Sequence, residues 1–127
     1  TDIAVLKVSP LLTVDEPVCR ANQQVVYGAI RLEQIEIVCH VDANPRVETF
    51  TWKFNNSLIR TKDLQSFTSE TTYSIAMYQP KTELDYGTLL CWAKNELGMQ
   101  HVPCVFHVIP AGEYIINKII QIALGEF

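Results

Sequence analysis

Two cysteines and one tryptophan restrict the fold of this chain more than any other feature. Cys39, Trp52 and Cys91 each lie in a segment where apolar and polar residues alternate, and each stands on the apolar side of its segment. Trp52 follows Cys39 by 13 residues, and Cys91 follows Trp52 by 39. Side chains of a β-strand point alternately to opposite faces, so all three are expected to point into one interior. The pattern predicts a disulfide between two facing sheets, covered by the tryptophan.

The alternating segments recur every ten to fifteen residues along the chain, with no helical pattern before residue 112. The predicted strands cover residues 35–41, 50–54, 58–61, a short stretch near Phe67, 73–78, 88–94 and 100–109. Predicted turns cover residues 42–45 and 55–57, a corner at 80–85 and a hairpin turn at 95–98. Short strands at this spacing predict an all-β fold, an immunoglobulin-like Greek-key sandwich of two antiparallel sheets of I-set or C2-like type.

The approach to Cys91 supports this assignment. Residues 85–91 read DYGTLLC and resemble the D-x-G-x-Y-x-C corner that enters strand F of immunoglobulin domains. We therefore place Asp85, Gly87 and Leu89 with Trp52 in the structural core. Leu89 stands where the corner usually has a tyrosine, which predicts that the hydroxyl-to-backbone bond of that corner is missing and its rigidity reduced.

Cys19 and Cys104 form a second candidate pair. Cys19 lies where strand A is expected to begin, and Cys104 lies on the predicted strand G. Because part of strand A runs beside strand G in such sandwiches, we expect a disulfide between them. Pairing of each cysteine with another chain, or two free thiols, remains an alternative. Four cysteines at long spacings favour an oxidising compartment, the alternative being four buried thiols in a cytosolic protein.

Composition restricts the function class. A formal net charge of −4, with few and scattered Lys and Arg residues, gives no surface for nucleic acid. The apolar run from Tyr114 to Leu124 is interrupted by polar residues and is shorter than a membrane-spanning helix, so we expect no membrane contact from this fragment. No nucleophile motif, phosphate loop or metal-ligand spacing is present. We predict a non-catalytic protein without cofactor or metal.

Three segments resemble a particular subgroup of immunoglobulin domains. They read VCHVDANPRVETFTWKFNNS, YQPKTELDYGTLLCWAKNELG and VPCVFHVIPAG. They are similar to membrane-proximal modules of the sidestep family of arthropod neuronal and muscle cell-surface proteins, over about three quarters of the chain. The resemblance implies cell adhesion and axon guidance through immunoglobulin-superfamily partners of the beaten-path type. It also implies the extracellular part of a single-pass plasma-membrane protein, or a secreted one.

The two ends depart from the domain pattern. The chain does not begin with Met, and residues 1–12 are interpreted as the end of a preceding module or a linker, followed by the domain at residues 13–110. Residues 111–127 form an atypical tail in which five aliphatic residues are near helical spacing. An amphipathic helix and a disordered end are both compatible with this segment.

Two features are candidates for function. Alternation places five residues outward on the sheet of strands C, F and G as candidates for partner binding: Thr51, Lys53, Leu90, Trp92 and Lys94. The alternative is that Trp92 is an isolated surface residue, or is covered by a neighbouring side chain or by the tail. Asn55-Asn56-Ser57 is an N-x-S sequon in a predicted turn, which makes Asn55 a candidate glycosylation site.

Three functions remain open at this stage. A module of an adhesion or guidance receptor is the first. A structural spacer in an extracellular matrix or other tandem-immunoglobulin protein is the second, and there the contacts would be to neighbouring modules of its own chain. The ectodomain of a receptor enzyme is the third, with catalysis on another module.

Overall fold

The computed structural model describes residues 15–57 and 59–125. The predicted linker at residues 1–12 lies outside the described residues. The strands are β1 (Asp15–Cys19), β2 (Val26–Ala29), β3 (Ile35–Asn44), β4 (Thr49–Asn56), β5 (Ile59–Asp63), β6 (Phe67–Ser69), β7 (Tyr73–Tyr78), β8 (Gly87–Asn95), β9 (Gly98–Met99) and β10 (Cys104–Pro110). A 3₁₀ helix, Glu83–Asp85, precedes β8, and one α-helix, α1 (Ala111–Ala123), follows β10.

The strands form two sheets. Sheet I has the order β1-β3-β7-β6, and sheet II has the order β2-β10-β8-β4-β5, with β9 continuing beside β8. The predicted sandwich is confirmed, but β2 pairs with β10 in parallel, whereas every strand was expected to pair antiparallel. The chain passes from sheet I to sheet II between β1 and β2. It keeps its direction, so β1 runs antiparallel to β3 and β2 parallel to β10.

The interior lies between the two sheets and is built from the alternate residues that the sequence pattern placed there. The largest side chains that are fully buried include Trp52, Phe54, Phe106, Ile37 and Leu89. The indole of Trp52 lies 5.8 Å from the ring of Phe106, centroid to centroid. Its Nε1–H donates to Ser74 Oγ at 2.9 Å. Trp52 therefore joins the sheets by packing and by a buried hydrogen bond.

Both predicted disulfides are present. Cys39 and Cys91 are fully buried and connect β3 of sheet I with β8 of sheet II, with Cα atoms 6.6 Å apart. Cys19 and Cys104 also connect the two sheets, with Cα atoms 5.6 Å apart. Cys19 was expected where the first strand begins, and instead it is the last residue of β1. The second bridge therefore closes the sandwich at the point where the chain changes sheets.

Among the boundaries that differ from the sequence prediction, those of the turn at residues 42–45 and of the strand over residues 100–109 have a clear cause in strand pairing. The turn predicted at residues 42–45 starts later, because β3 continues to Asn44 and its last residues pair with β1. The strand predicted over residues 100–109 is divided into β9 and β10. Gln100 explains the division, since its backbone N–H donates to Ala93 O at 2.9 Å and its side-chain Oε1 accepts from Ala93 N–H at 3.0 Å. One residue thus fills both hydrogen-bonding positions of Ala93, and the chain leaves the ladder until Cys104.

The corner before β8 is held by a different tyrosine from the one expected. Leu89 is buried and has no hydroxyl, as predicted, but the hydroxyl of Tyr78, at the end of β7, donates to Asp85 O at 2.6 Å. The Asp85 carboxylate accepts from the backbone N–H groups of Lys81 and Thr82 at 2.8 and 3.1 Å. The hydrogen bond that Leu89 cannot make is therefore replaced by one from a hydroxyl of the preceding strand, β7, in the opposite sheet.

Helix α1 follows β10 directly and packs against β2 and β10. Tyr114 lies against Gly28, where an added Cβ would overlap the tyrosine side chain. The ammonium group of Lys118 lies 5.4 Å from the centre of the Tyr114 ring. Helix α1 has no buried residue, and five isoleucines and Leu124 are exposed. Of the two alternatives for the tail, the helix is the one observed over residues 111–123.

Candidate protein-binding face

The outward side of sheet II brings the candidate binding residues together. In β4, Phe50, Trp52 and Phe54 point inward, so the intervening residues point to solvent. The same alternation in β8 leaves its even-numbered residues from 88 to 94 on the outer side. The sheet II face is defined here as these outward residues of β4, β8, β9 and β10: Thr49, Thr51, Lys53, Asn55, Thr88, Leu90, Trp92, Lys94, Met99, Val105 and His107.

The strand register fixes which of these side chains are neighbours. Thr51 is paired with Trp92, and Lys53 is paired with Leu90. Lys94 lies opposite Thr49 on one side and opposite Met99 on the other. Paired residues of antiparallel strands share a face, with Cβ atoms about 5 Å apart. All five predicted binding residues therefore lie on one continuous surface.

The face combines apolar side chains with scattered charge. Trp92 and Leu90 are half-buried, so each presents part of its apolar surface to solvent. The ammonium group of Lys53 lies 3.6 Å from the Asp63 carboxylate of β5, and the Lys53 side chain is partly exposed while that of Asp63 is exposed. An exposed pair of this kind adds little to stability, so it mainly sets the charge pattern that a partner meets.

Two apolar members of the face were missed by sequence analysis. Val105 is 38% exposed and lies opposite Leu90, while Met99 is 45% exposed and lies beside Lys94. The signal for Val105 was present, since it alternates with the buried residues Cys104 and Phe106. Met99 was assigned to no strand, because its pairing with β8 depends on the two-residue turn between Asn95 and Gly98.

The other end of the face contains the sequon asparagine. Asn55 is paired with Thr88, and Thr88 is paired with His107. Thr88 Oγ and His107 Nδ1 are 3.5 Å apart, and Asn55 is exposed. The sequon lies at the end of β4 rather than wholly in a turn, and the asparagine side chain follows the outward alternation of that strand.

Trp92 lies near the start of β10, whereas helix α1 follows the end of that strand. Cys104, the first residue of β10, pairs with Cys91, next to Trp92, whereas Pro110, the last residue, pairs with Ala29 of β2. The helix starts at Ala111, and its main contacts are with β2 and β10. These contacts place the helix along the β2 edge of sheet II.

Two buried or partly buried tyrosines have shifted acidities. Burial, and secondarily the Asp85 carboxylate, raises the pKa of the Tyr78 hydroxyl far above its usual value near 10. Burial also raises the pKa of Tyr86, with a smaller contribution from Glu83. The Tyr86 hydroxyl donates to Ala29 O at 2.8 Å. Both groups thus remain neutral hydrogen-bond donors that hold the domain together at physiological pH.

The described residues contain no arrangement suited to metal binding. Over residues 15–57 and 59–125, no three His, Cys, Asp or Glu side chains approach closely enough to hold an ion. In the same ranges, no helix is long and apolar enough to cross a membrane.

Comparison with known proteins finds similarity of structure only. No family model and no curated protein matches this chain. Among solved structures, titin domain M4 has a TM-score of 0.58 at 13% identity, covering 77% of this chain and 98% of that chain. The neural ectodermal development factor IMP-L2 has a TM-score of 0.55 at 19% identity, covering 78% of this chain and 45% of that chain. A chain of the complex between titin M10 and an obscurin-like 1 immunoglobulin domain has a TM-score of 0.53 at 17% identity, covering 75% of this chain and 96% of that chain.

These comparisons lend no support to the sidestep family in particular. At identities below 25%, they establish the shared architecture and nothing more specific. The two facing sheets, the two bridges between them and these likenesses together assign the chain an immunoglobulin-like fold.

Proposed function

We propose that this domain is an extracellular recognition module that binds another protein through the sheet II face. The observation that carries the proposal is the position of Trp92. It is half-buried on an outward sheet surface, in register with Thr51 and flanked by Leu90 and Lys94. Tryptophan and neighbouring apolar side chains within a polar surround are typical of the residues that dominate binding energy at protein interfaces.

The disulfides support an extracellular location. Two bridges connect the sheets, and the described residues contain no free cysteine. Such bonds form and persist in oxidising compartments and are rare in the cytosol. The domain is therefore proposed to belong to a secreted protein or to the extracellular part of a single-pass membrane protein.

One of the structurally similar proteins was solved in complex with a partner of the same fold, which supports testing such a partner here. Titin M10 was solved in complex with an obscurin-like 1 immunoglobulin domain. By analogy, an immunoglobulin-superfamily protein is the first class of partner to test here. The sequence resemblance to the sidestep family narrows this class to beaten-path proteins, and with it the role to cell adhesion and axon guidance.

The proposal is tested by a binding screen against secreted ectodomains of immunoglobulin-superfamily proteins. The full chain is displayed as wild type, Trp92→Ala and Ile75→Ala. Ile75 is half-buried on β7 of sheet I, on the opposite side of the sandwich, and serves as the matched control. Trp92→Ala is expected to weaken binding of the partner by about 2 kcal/mol, which corresponds to about a 30-fold higher Kd.

Thermal unfolding of the same variants separates binding from folding. Trp92→Ala is expected to change the free energy of unfolding by less than about 1 kcal/mol, since its side chain is not part of the interior. A partner that binds wild type and Trp92→Ala equally would overturn the assignment of the face. If the domain binds only neighbouring modules of the same polypeptide and no other protein, the spacer function is favoured instead.

A further inference from the structure

Asn55 lies on the same surface as the proposed binding residues. It follows Lys53 by two residues on the outward side of β4 and is exposed. Two residues of a strand span about 7 Å, so Asn55 is about 7 Å from Lys53, about 14 Å from Thr51 and about 20 Å from Thr49 along β4. Whatever is attached to Asn55 therefore affects the Lys53–Leu90 end of the face before the Trp92–Met99 end.

The two adjacent asparagines have different roles. The side chain of Asn56 donates to Leu84 O and to Tyr86 O, each at 2.9 Å, and so anchors β4 to the corner before β8. The side-chain amide of Asn55 has no hydrogen bond within residues 15–57 and 59–125, and Ser57 is exposed. The sequon Asn55-Asn56-Ser57 thus has its acceptor amide on the asparagine that the fold leaves available.

We propose that Asn55 carries an N-linked glycan that covers the Lys53–Leu90 end of the sheet II face and confines the partner to the Trp92–Met99 end. The glycan is bulky and strongly hydrated, so its side of the face cannot be dehydrated against another protein. The uncovered end has two apolar residues beside Lys94: Trp92, two residues before it in β8, and Met99, opposite it in β9. The inference that the partner binds at the Trp92–Met99 end rests on the proposed function. The inference that Asn55 carries a glycan covering the Lys53–Leu90 end does not.

The first test needs no partner. The full chain is produced through the secretory pathway of mammalian cells as wild type, Ser57→Ala, which removes the sequon, and Ser57→Thr, which keeps it. Intact mass before and after enzymatic glycan removal reports occupancy. We expect a glycan on wild type and Ser57→Thr but not on Ser57→Ala, and a wild-type protein with no glycan would overturn the proposal.

Lysine labelling then tests which surface is covered. A bulky amine-reactive reagent is applied to the same three proteins, and modification of Lys53 and Lys94 is followed by peptide mass analysis. Lys53 is the outward neighbour of Asn55 in β4, whereas Lys94 lies opposite Thr49 at the far end of the face, so Lys94 is an internal control. Lys53 is expected to react several-fold more slowly when the glycan is present, with Lys94 unchanged. Equal rates at Lys53 in glycosylated and unglycosylated protein would overturn the proposed coverage.

Binding measurements separate this inference from the proposed function. With a partner from the screen, Met99→Ala is expected to weaken binding to the glycosylated protein several-fold more than Leu90→Ala does, and Ile75→Ala, on the opposite sheet, is expected to leave binding unchanged. A strong Leu90→Ala effect alongside a Trp92→Ala effect would overturn the footprint but keep the binding face. If Trp92→Ala did not change the affinity for the partner, the proposed binding face would be wrong, but the mass and labelling results would still support the glycan.

Discussion

Ile37 and Ile119 are the same side chain in opposite environments. Ile37 lies in β3 and is completely buried between the sheets, whereas Ile119 lies in α1 and is 59% exposed. The sandwich interior also has two disulfides and a buried tryptophan, and α1 has no buried residue at all. The comparison shows that an apolar side chain stabilises the domain only to the extent that it is buried. The free energy comes from removing that surface from water, which the sandwich does and the helix largely does not.

The largest expected effect is at the centre of the sandwich. Trp52→Ala removes the ring that packs on Phe106 and leaves a cavity beside the Cys39–Cys91 bridge. It is expected to lower the free energy of unfolding by about 3–5 kcal/mol, measured by urea denaturation. Trp52→Phe keeps a ring but removes the hydrogen bond to Ser74, and a smaller loss is expected. Equal losses for the two variants would show that the bond, rather than the packing, is what matters.

The second largest effect is expected at the Cys19–Cys104 disulfide, where the chain passes from sheet I to sheet II. The double variant Cys19→Ala/Cys104→Ala keeps the buried disulfide and opens the other, whose ends are 85 residues apart in sequence. We expect the free energy of unfolding to fall by about 2–4 kcal/mol, because the unfolded chain regains freedom. Non-reducing peptide mapping checks that Cys39–Cys91 remains intact. A loss below about 0.5 kcal/mol would show that the second bridge adds no stability.

The third effect is at the corner. Tyr78→Phe removes the hydroxyl that donates to Asp85 O and is expected to cost about 1 kcal/mol near neutral pH. The pKa of Tyr78 is raised in the folded state, so its contribution is complete below the unfolded value near 10 and decreases as pH rises through the folded pKa. Wild type should therefore lose stability more steeply than Tyr78→Phe above about pH 10. Parallel pH profiles of urea unfolding for the two proteins would contradict this assignment.

The smallest effect is expected on the helix. Ile119→Ala should change the free energy of unfolding by less than about 0.5 kcal/mol, because most of this side chain already faces water. Ile37→Ala is the matched control and should cost at least about 2 kcal/mol. Thermal unfolding of the two variants gives the comparison directly. A large loss at Ile119 would mean that α1 buries its apolar side in solution, against another molecule or another part of the domain.

Several features of the fold followed from local pattern. The positions of Cys39, Trp52 and Cys91 on the inward side of their strands were predictable because a strand alternates its side chains with a period of two. The same rule placed Lys53, Leu90 and Trp92 outward. The Cys19–Cys104 bridge was predictable from the expected closeness of the first and last strands in a sandwich of this type. The prediction of an interaction role for this surface, and of a glycan at Asn55, remains a proposal.

What the sequence by itself determined is which residues face inward, since that depends only on each residue and its near neighbours. What only the tertiary structure decided is which strands meet. The parallel pairing of β2 with β10 joins segments that are far apart in the sequence. The division of the last strand at Gln100 and the use of Tyr78 in place of a residue at position 89 each depend on a hydrogen bond between residues seven positions apart, which strand alternation does not predict. None of these contacts follows from the pattern within one strand, because a hydrogen bond forms wherever folding brings a donor to an acceptor, whatever their separation in sequence.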